Sequence, residues 1–515
     1  MVAKCYSGAL SGVEASTVEI EVYSTVGTSS FAIVGLPDQA VKEAKDRIPT
    51  ALKSSGFRAR GEFAVTVNLA PADVRKEGPT YDLPIAVCLL KAMGLVANER
   101  LEEFGMAGEL ALSGRVRRVR GILPIVMEMK RIGRRAVLVP EENIEEASVV
   151  SGIDVIPVAD LRAAVDYVNG VREIRPVYTD LAALVRADRP RGEDFSDVKG
   201  QNLAVAAVEV AVAGGHNMLM IGSPGAGKTM IARRIPTVLP PLTVEEALEV
   251  SRIHSVAGLA KGTGGFVTER PFRAPHHTVS AIGLLGGGTR PVPGEVSLAH
   301  RGVLFLDEFA EFPRNALEVL RQPVEDGHVA VSRAAAAYDF PSRFMLVASM
   351  NPCPCGYYND ADHDCRCSQA QILKYQQRVS GPLMDRIDIQ ISVSAVPALE
   401  LAGARRAPTS AEIRERVLAA RERQRERYRD MPGVLTNAEV RSRDLPEVCG
   451  LDAGALAELR RIIGRLKLSA RAYDRILRVS RTIADLAGAR HVALEHIAEA
   501  ANYRQLDREG GGFWA

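Results

Sequence analysis

Two segments near the start of the chain alternate between apolar and polar side chains. In residues 17–23, and again in residues 63–69, every second side chain is a large apolar one. Successive side chains of a strand point to opposite faces of its sheet. The alternation therefore predicts two strands that each bury one face.

Helices are predicted between these strands. Asp38 is placed to cap a helix that runs toward Gly56 and that Pro49 should kink or interrupt, and residues 82–93 are predicted to form a second helix. This mixture of elements predicts an α+β N-terminal domain over residues 1–171. A polar, proline-containing linker is predicted over residues 172–195.

The middle of the chain carries apolar runs that do not alternate. Such runs are typical of strands buried on both faces, and helical segments separate them. The pattern predicts a three-layer parallel α/β domain over residues 196–397. Its strands are expected at residues 218–221, 303–306, 344–348 and 387–393.

The sequence after residue 397 has helical periodicity and is rich in arginine and glutamate. Thr409 and Glu412 have the spacing of a capping box, and apolar side chains recur on one helical face over residues 473–487. We expect a C-terminal helical domain over residues 398–507, followed by a glycine-rich tail over residues 508–515.

Composition narrows the class of protein. The chain has 515 residues, of which 47% are hydrophobic and 25% charged, as in globular proteins of about three domains. The most apolar stretch, residues 202–221, is interrupted by Glu209 and His216, so we expect no membrane span. The start of the chain does not read as an export signal, and the odd number of seven cysteines indicates reduced thiols and a cytoplasmic protein. The net charge is only +2, so any attraction to nucleic acid must come from local patches.

A phosphate-binding motif follows the first apolar run of the middle domain. A strand before it and a helix after it give the context in which the motif cradles phosphates with backbone N–H groups. Its lysine would carry charge to the β- and γ-phosphates of ATP, and its threonine hydroxyl would bind Mg²⁺. The motif consists of Gly222, Ser223, Pro224, Gly225, Ala226, Gly227, Lys228 and Thr229.

Polar side chains follow the next two apolar runs. Asp307 would bind Mg²⁺ through water, and Glu308 would polarise the attacking water. Together with the phosphate-binding motif they predict nucleotide hydrolysis. Asn351 either orients water near the γ-phosphate or only forms a turn before Pro352. Arg386 is either an arginine finger or a surface partner of an acid.

These motifs, with residues 271–278 and 381–388, resemble the magnesium-chelatase-like branch of AAA+ ATPases. The whole chain is similar to the ComM/YifB family of competence proteins. The resemblance implies a homo-hexamer with ATP at subunit interfaces, Asn351 as sensor 1, Arg386 acting in trans and Arg471 as the sensor-2 arginine. It also implies a DNA helicase that promotes branch migration on single-stranded and branched DNA during natural transformation, with recombination proteins as further partners.

The N-terminal domain resembles the proteolytic domain of Lon. Thr80 follows a Gly-Pro pair where Lon has its catalytic serine, but Leu123 occupies the position of the dyad lysine. Without an amine to accept the hydroxyl proton, Thr80 is not activated. The domain is therefore interpreted as non-proteolytic, and either a DNA-binding or ring-forming scaffold or a purely structural unit.

Three basic regions are candidates for DNA contact. Residues 264–290, with Arg270, Arg273 and Arg290, and residues 327–343, with His328, Arg333 and Arg343, are expected as loops that face a ring channel. Ordinary solvated loops are the alternative. The arginines of residues 412–429 alternate with glutamates, which predicts ion pairs within a solvated helix instead of a DNA site.

Four cysteines crowd together after Asn351. Cys353, Cys355, Cys365 and Cys367 could enclose a structural Zn²⁺ ion. Free thiols or an oxidation-sensitive pair are the alternatives.

The sequence as a whole predicts an ATP-driven hexameric DNA motor. One alternative is an ATPase subunit of a metal-chelatase complex, which acts on a protein partner. A Lon-like peptidase is the other, and Leu123 disfavours it.

Overall fold

The structure is a computed structural model that describes most of the chain. The described residues are 2–57, 62–186, 192–260, 266–288, 291–332, 337–360, 362–396, 407–451, 453–466 and 470–504. Arg290, Arg333 and the predicted tail over residues 508–515 lie outside them.

The N-terminal region is built on a seven-stranded sheet of order β3-β4-β2-β1-β5-β8-β9. Its strands are β1 (Val2–Ser11), β2 (Glu14–Val26), β3 (Ser30–Val34), β4 (Phe63–Ala70), β5 (Phe104–Met106), β8 (Ala136–Pro140) and β9 (Asp154–Val158), and a small hairpin joins β6 (Glu109–Leu110) to β7 (Val116–Arg117). The central pairs β1–β2 and β2–β4 are antiparallel and the outer pairs are parallel. Both alternating segments lie in strands as predicted, with Val18, Ile20 and Val22 buried.

The helices of this region are α1 (Gln39–Lys42), α2 (Ala44–Ser54), α3 (Asp82–Ala92), α4 (Ile122–Arg131), α5 (Ile144–Ala147) and α6 (Leu161–Val168), and α7 (Leu181–Arg186) follows them. The cap at Asp38 and the helix over residues 82–93 are confirmed. The interruption predicted at Pro49 is wrong, because the break falls at Glu43 and α2 continues through the proline. Burial of Ile48 and Ala51 on either side of Pro49 keeps this helix in place.

The middle region contains a five-stranded, entirely parallel sheet of order β11-β14-β17-β10-β18. These strands are β10 (Met218–Ile221), β11 (Phe272–Arg273), β14 (Val303–Leu306), β17 (Met345–Met350) and β18 (Ile389–Ser392), and two hairpins pair β12 (Gly286–Gly287) with β13 (Val292–Pro293) and β15 (His328–Ser332) with β16 (Ala337–Pro341). The helices are α8 (Asn202–Gly214), α9 (Lys228–Val238), α10 (Val244–Ala257), α11 (Ala281–Leu285), α12 (Glu295–Leu298), α13 (Arg314–Glu318), α14 (Arg321–Asp326), α15 (Gln369–Gln376) and α16 (Gly381–Met384). The predicted parallel α/β sheet is confirmed, with one further short strand, β11, at its edge.

The C-terminal region is helical in its described part. Its helices are α17 (Ser410–Arg427), α18 (Leu445–Cys449), α19 (Ala453–Leu466), α20 (Ala470–Leu486) and α21 (Leu494–Asn502). Thr409 and Glu412 form the predicted capping box at the start of α17. Apolar side chains of this region share one core with the middle sheet. No helix among the described residues is both long and apolar enough to cross a membrane.

The prediction for the arginine-rich helix α17 is wrong in part. Its arginines were expected to pair with glutamates of the same helix, but Arg416 forms a bidentate ion pair with Glu209 of α8, and Arg427 pairs with Asp485 of α20. Arg421 donates to the Val212 carbonyl. Because one face of α17 packs on these helices, its arginines reach partners outside it.

His300, in the turn before β14, connects the middle sheet to α10. Its Nδ1 accepts a hydrogen bond from the backbone N–H of Arg343 (3.0 Å), and its Nε2 lies 3.2 Å from the Glu249 carboxylate. Since one ring nitrogen accepts and the other donates, the ring must be neutral. Burial lowers the pKa of His300 below its ordinary value, although the bond to Glu249 opposes this shift.

Replacement of His300 by glutamine is expected to reduce the pH dependence of stability. The unfolded chain binds the His300 proton more readily than the folded chain, so stability is complete above about pH 6.5 and falls as the pH drops below it. His300→Gln can keep both hydrogen bonds with a neutral side chain. We expect its thermal midpoint to fall less than that of the unmodified protein between pH 7 and pH 5.5. The same fall in both proteins would contradict this role.

Candidate functional site

The phosphate-binding motif forms the connection between β10 and α9. Gly225 and Gly227 have φ values of 80° and 85°, the left-handed region that glycine adopts without strain. Gly222 is needed for a different reason, since a Cβ atom there would lie 1.9 Å from the carbonyl oxygen of Val393. The loop therefore turns tightly from the strand and opens at the N-terminus of an eleven-residue helix. Ser223, Pro224 and Ala226 complete it.

Lys228 lies folded against this loop. Its Nζ donates to the carbonyl oxygens of Gly222 (2.7 Å) and Ser223 (2.9 Å), and it lies 3.3 Å from Oδ1 of Asn351. Burial lowers the pKa of Lys228, and the nearby Asp307 carboxylate opposes that shift. The structure thus brings together Lys228 and Asn351, which are far apart in sequence.

Thr229 and Asp307 lie side by side. The Thr229 hydroxyl donates to one carboxylate oxygen of Asp307 (2.7 Å), and the other oxygen accepts from the Glu308 backbone N–H (3.0 Å) and from the hydroxyl of Ser349. Ser349 is fully buried near the end of β17 and was not found from the sequence. The sequence offered one signal for this residue, since Ser349 is a single serine among the apolar residues of a strand predicted to be buried.

The donor set at this place suits a magnesium nucleotide. Mg²⁺ prefers hard oxygen ligands, and the Thr229 hydroxyl and the Asp307 carboxylate are such ligands in direct contact. A buried cation at Lys228 lies beside a helix N-terminus, where anions are favoured. The residues present therefore fit ATP with Mg²⁺.

Glu308 has an unusual conformation and an unexpected partner. Its φ of 53° is rare for a residue with a side chain, and such backbone strain is concentrated at functional sites. Its carboxylate lies 3.0 Å from Nδ1 of His277, in the loop after β11. His277 was part of a segment singled out only for its resemblance to a family, so its contact with Glu308 was missed.

Arg386 and Arg471 do not join this group. Arg386 precedes β18, and its backbone oxygen accepts from Asn217, which precedes β10, so it lies at the amino-end edge of the parallel sheet. The Arg386 side chain pairs with Glu325, and Arg471 lies 3.3 Å from Asp385. Lys228 and Asp307 lie at the opposite, carboxyl-end edge. Both arginines line a cleft of about 730 Å³ that is separate from the phosphate-binding loop.

The four clustered cysteines meet in space. Their sulfur atoms all lie within 4.8 Å of one another, and the Cys353–Cys355, Cys355–Cys365 and Cys353–Cys365 distances are 3.3, 3.6 and 3.7 Å. Four sulfurs at about 2.3 Å from a tetrahedral zinc ion would be about 3.8 Å apart. A disulfide, at about 2.05 Å, is far shorter. The cluster therefore has the size of a tetrahedral metal site.

The expected channel loops are only partly available to DNA. Arg270 is surrounded by the Pro240 and Arg301 carbonyl oxygens and the Glu246 carboxylate, and Arg273 forms a bidentate pair with Glu295. Both arginines are engaged within the fold, and their contact with DNA in a ring channel stays a prediction.

The other described basic candidates of those loops are partly buried in the fold. His328 is half-buried at the start of the β15–β16 hairpin, and Arg343, two residues after the hairpin, lies 3.8 Å from Glu439. Contact between this hairpin and DNA stays a prediction.

The Lon-like residues do not form a dyad. Thr80 lies in a short helical turn and is nearly buried, and Leu123 is fully buried in α4. A hydrocarbon side chain cannot accept the proton of a hydroxyl nucleophile, so this pair cannot act as Ser-Lys dyads do.

Three protein-family models match successive parts of the chain. The model of magnesium chelatase subunit ChlI matches residues 194–401, a second described as subunit ChlI of Mg-chelatase matches residues 19–143, and a third of the ChlI C-terminal region matches residues 407–504. The fold and site thus define a magnesium-chelatase-like AAA+ protein with a Lon-like N-terminal domain and a C-terminal helical lid.

Individual relatives match over nearly the whole chain. It is 42% identical to competence protein ComM of Haemophilus influenzae over 509 residues, which are 98% of this chain and 97% of ComM. It is 40% identical to the uncharacterized protein YifB of Escherichia coli over 499 residues, 96% of each chain. A Lon protease of Salinispora arenicola is 25% identical over 205 residues, 38% of this chain and 24% of the protease. The chain belongs to the ComM/YifB family.

Two glycines of the phosphate-binding loop should respond differently to alanine. Gly222→Ala places a methyl group against the Val393 backbone, so we expect a loss of more than about 3 kcal/mol in unfolding free energy. Gly225→Ala meets no heavy atom within 4 Å, and its left-handed backbone should cost only about 1–2 kcal/mol. Urea unfolding of both variants measures the difference. Equal losses would mean that the contact with Val393 is not limiting.

Proposed function

We propose that this protein is an ATP-driven motor that acts on DNA. In this proposal it forms a hexamer in the cytoplasm and promotes branch migration when incoming single-stranded DNA recombines during natural transformation. The observation that carries its nucleotide chemistry is the contact of Lys228, Thr229, Asp307 and Asn351 at one edge of a parallel sheet. Similarity to ComM, a competence protein, supports the pathway.

Each residue of this group has a distinct task in the proposal. Lys228 and the loop N–H groups bind the phosphates, while Thr229 and Asp307 hold Mg²⁺, with Asp307 acting through water. Bound ATP with Mg²⁺ supplies a γ-phosphate that water can attack. The Glu308 carboxylate first separates from His277 and then accepts a proton from that water. Asn351 orients the water.

A second subunit would complete the site. Arg386 and Arg471 lie at the edge of the sheet opposite the phosphate-binding loop of their own chain, so neither is placed to stabilise charge there. Packed edge to edge, one subunit could present Arg386 as a finger, and Arg471 as the sensor-2 arginine, to its neighbour's nucleotide. This division supports a ring with ATP at subunit interfaces.

The other regions have supporting roles in the proposal. We keep the division into residues 1–171, 196–397 and 398–507, with the N-terminal domain as a non-proteolytic scaffold that binds DNA, forms the ring or is purely structural. The β15–β16 hairpin is the channel-facing contact for DNA. Recombination proteins are expected as partners on branched DNA.

We also propose a structural zinc ion at Cys353, Cys355, Cys365 and Cys367. The separations of their sulfurs support tetrahedral coordination. Burial opposes ionisation of the Cys355 thiol, but the backbone N–H groups of Tyr357 and Arg366 outweigh it and lower the pKa of Cys355, which favours the thiolate form that binds zinc.

One alternative has a specific observation in its favour, namely the matches to magnesium chelatase subunit models. Such an ATPase subunit acts on a protein partner. DNA-stimulated ATP turnover separates the two functions, because only a DNA motor requires it.

ATP turnover should rise when DNA is added, and a synthetic three-stranded or four-way junction should be resolved only with ATP. We expect Lys228→Ala to lose nucleotide binding, and Glu308→Gln to bind nucleotide but hydrolyse it at least about 100-fold more slowly. Glu311→Gln, which removes a nearby exposed carboxylate that pairs with Arg378, is the matched control and should stay active. A protein whose turnover ignores every DNA tested would not be this motor.

Arg386→Ala should abolish turnover by itself but recover activity in mixed rings. Mixing with Glu308→Gln subunits creates interfaces that combine an intact Glu308 from one variant with an intact Arg386 from the other. Glu325→Gln is the control, since it removes the same ion pair within the chain but keeps the arginine. An Arg386→Ala protein with full activity would rule out the finger.

A further inference from the structure

The cysteine loop, defined as residues 353–367, lies against the phosphate-binding loop. It begins two residues after Asn351, which directly follows β17. The structure describes all of its residues except residue 361. The described part of the cysteine loop contains turns and bends but no helix or strand. Its position must therefore be held by side-chain contacts instead of a backbone ladder.

Two contacts join the cysteine loop to the phosphate-binding loop. The Asp360 carboxylate lies near the Ser223 hydroxyl, which lowers the pKa of Asp360 below its ordinary value. Gly356, with a φ of 89°, lies so close to Pro224 that a Cβ atom there would be 2.6 Å from its ring. Ser223 is also one of the residues whose carbonyl oxygen holds Lys228. The cysteine loop thus touches the part of the phosphate-binding loop that fixes the lysine.

Asp360 is also the centre of the cysteine loop itself. Its Oδ1 accepts from the backbone N–H groups of Asp362 (3.0 Å) and His363 (3.0 Å), and Nδ1 of His363 lies 3.1 Å away. The His363 ring packs on Tyr357 with 4.6 Å between the ring centroids. A disturbance of the cysteine loop would therefore move Asp360 from its place near Ser223.

The cysteine pairs flank this contact in sequence. Cys353 and Cys355 precede Asp360, and Cys365 and Cys367 follow it, so a metal that joins both pairs closes the segment that carries Asp360. Closing such a segment removes conformational freedom that would otherwise oppose the contact. Without the metal, the Gln376 bond to the Pro352 carbonyl (3.1 Å) would still hold the start of the segment near β17, but the metal's link between the two cysteine pairs would be lost.

We propose that zinc at the four cysteines fixes the cysteine loop against the phosphate-binding loop, so that tight nucleotide binding depends on the occupied metal site. This inference rests on the proposed ATP and zinc sites and adds a regulatory link between them. Metal loss frees Asp360 and Gly356, and the phosphate-binding loop must then be ordered when nucleotide binds, which weakens affinity.

The test measures zinc content and nucleotide affinity of the full-length protein purified without chelator. Affinity is followed with a fluorescent ATP analogue and Mg²⁺, which requires neither hydrolysis nor DNA. We expect about one zinc per chain, an increase of about tenfold in Kd after zinc removal, and recovery when zinc is returned. Cys5→Ala, which removes a buried cysteine outside the cluster, should retain the zinc and the affinity.

Variants of the cysteine loop test the contact without removing the metal. Asp360→Ala should keep its zinc but raise the Kd about tenfold, and Asp360→Asn, which keeps a side-chain oxygen for the Asp362 and His363 N–H groups and near Ser223, should restore most of the affinity. Asp364→Ala removes the same charge from an exposed position of the cysteine loop and should bind nucleotide normally. Removal of a negative charge would by itself strengthen the binding of phosphate. Weaker nucleotide binding by Asp360→Ala would therefore come from the lost contacts of Asp360 and not from its lost charge.

The outcomes separate this inference from the function on which it rests. Less than a few tenths of an equivalent of zinc would overturn the metal site and this link, with the ATP site intact. An unchanged Kd after zinc removal, or in Asp360→Ala, would overturn the link alone. If zinc-loaded protein binds no nucleotide at all, the proposed function fails, and this inference with it.

Discussion

The proposed nucleotide site depends on the parallel pairing of β10, β14 and β17. β10 pairs with β17 from Met218 opposite Val347 to Ile221 opposite Met350, and the N–H of Gly222 donates to Met350. Because all three strands run in the same direction, the residues that follow them meet at one edge. A register shift of one residue in either pair would separate the lysine from the asparagine, or the threonine hydroxyl from the aspartate.

The same parallel order explains why one chain presents two different edges. Groups that follow the strands include the buried Lys228, whereas groups that precede them include Arg386 and the Asn217 side chain that anchors it. The length of the strands keeps these edges apart. A rigid sheet of this kind cannot bring both sets of groups to one phosphate, so any chemistry that uses both must join the edges of two molecules.

The sequence predicted the residues that depend on strand order, and it missed those that depend on packing between elements. The motif and the apolar runs were enough to group Lys228 with Asp307, because the ends of parallel strands must coincide. The contacts of Ser349 and His277 could not be derived, since they require knowing which side chain faces inward and where a loop turns. Pro49 was misjudged for a similar reason, because burial of its neighbours outweighs its local preference.

Arginine burial limits what the many basic residues can do for DNA. Burial lowers the pKa of Arg421 to about 10, but the side chain is still charged at neutral pH. The Val212 carbonyl oxygen and the nearby carboxylates of Glu439 and Glu246 stabilise this charge. Arg270 and Arg481 are likewise enclosed by the fold. Such enclosed cations cannot reach the phosphates of a nucleic acid and so cannot release its counterions. With a net charge of only +2, phosphate contact must come from the smaller set of exposed cations, whose arrangement across a ring would matter more than their number.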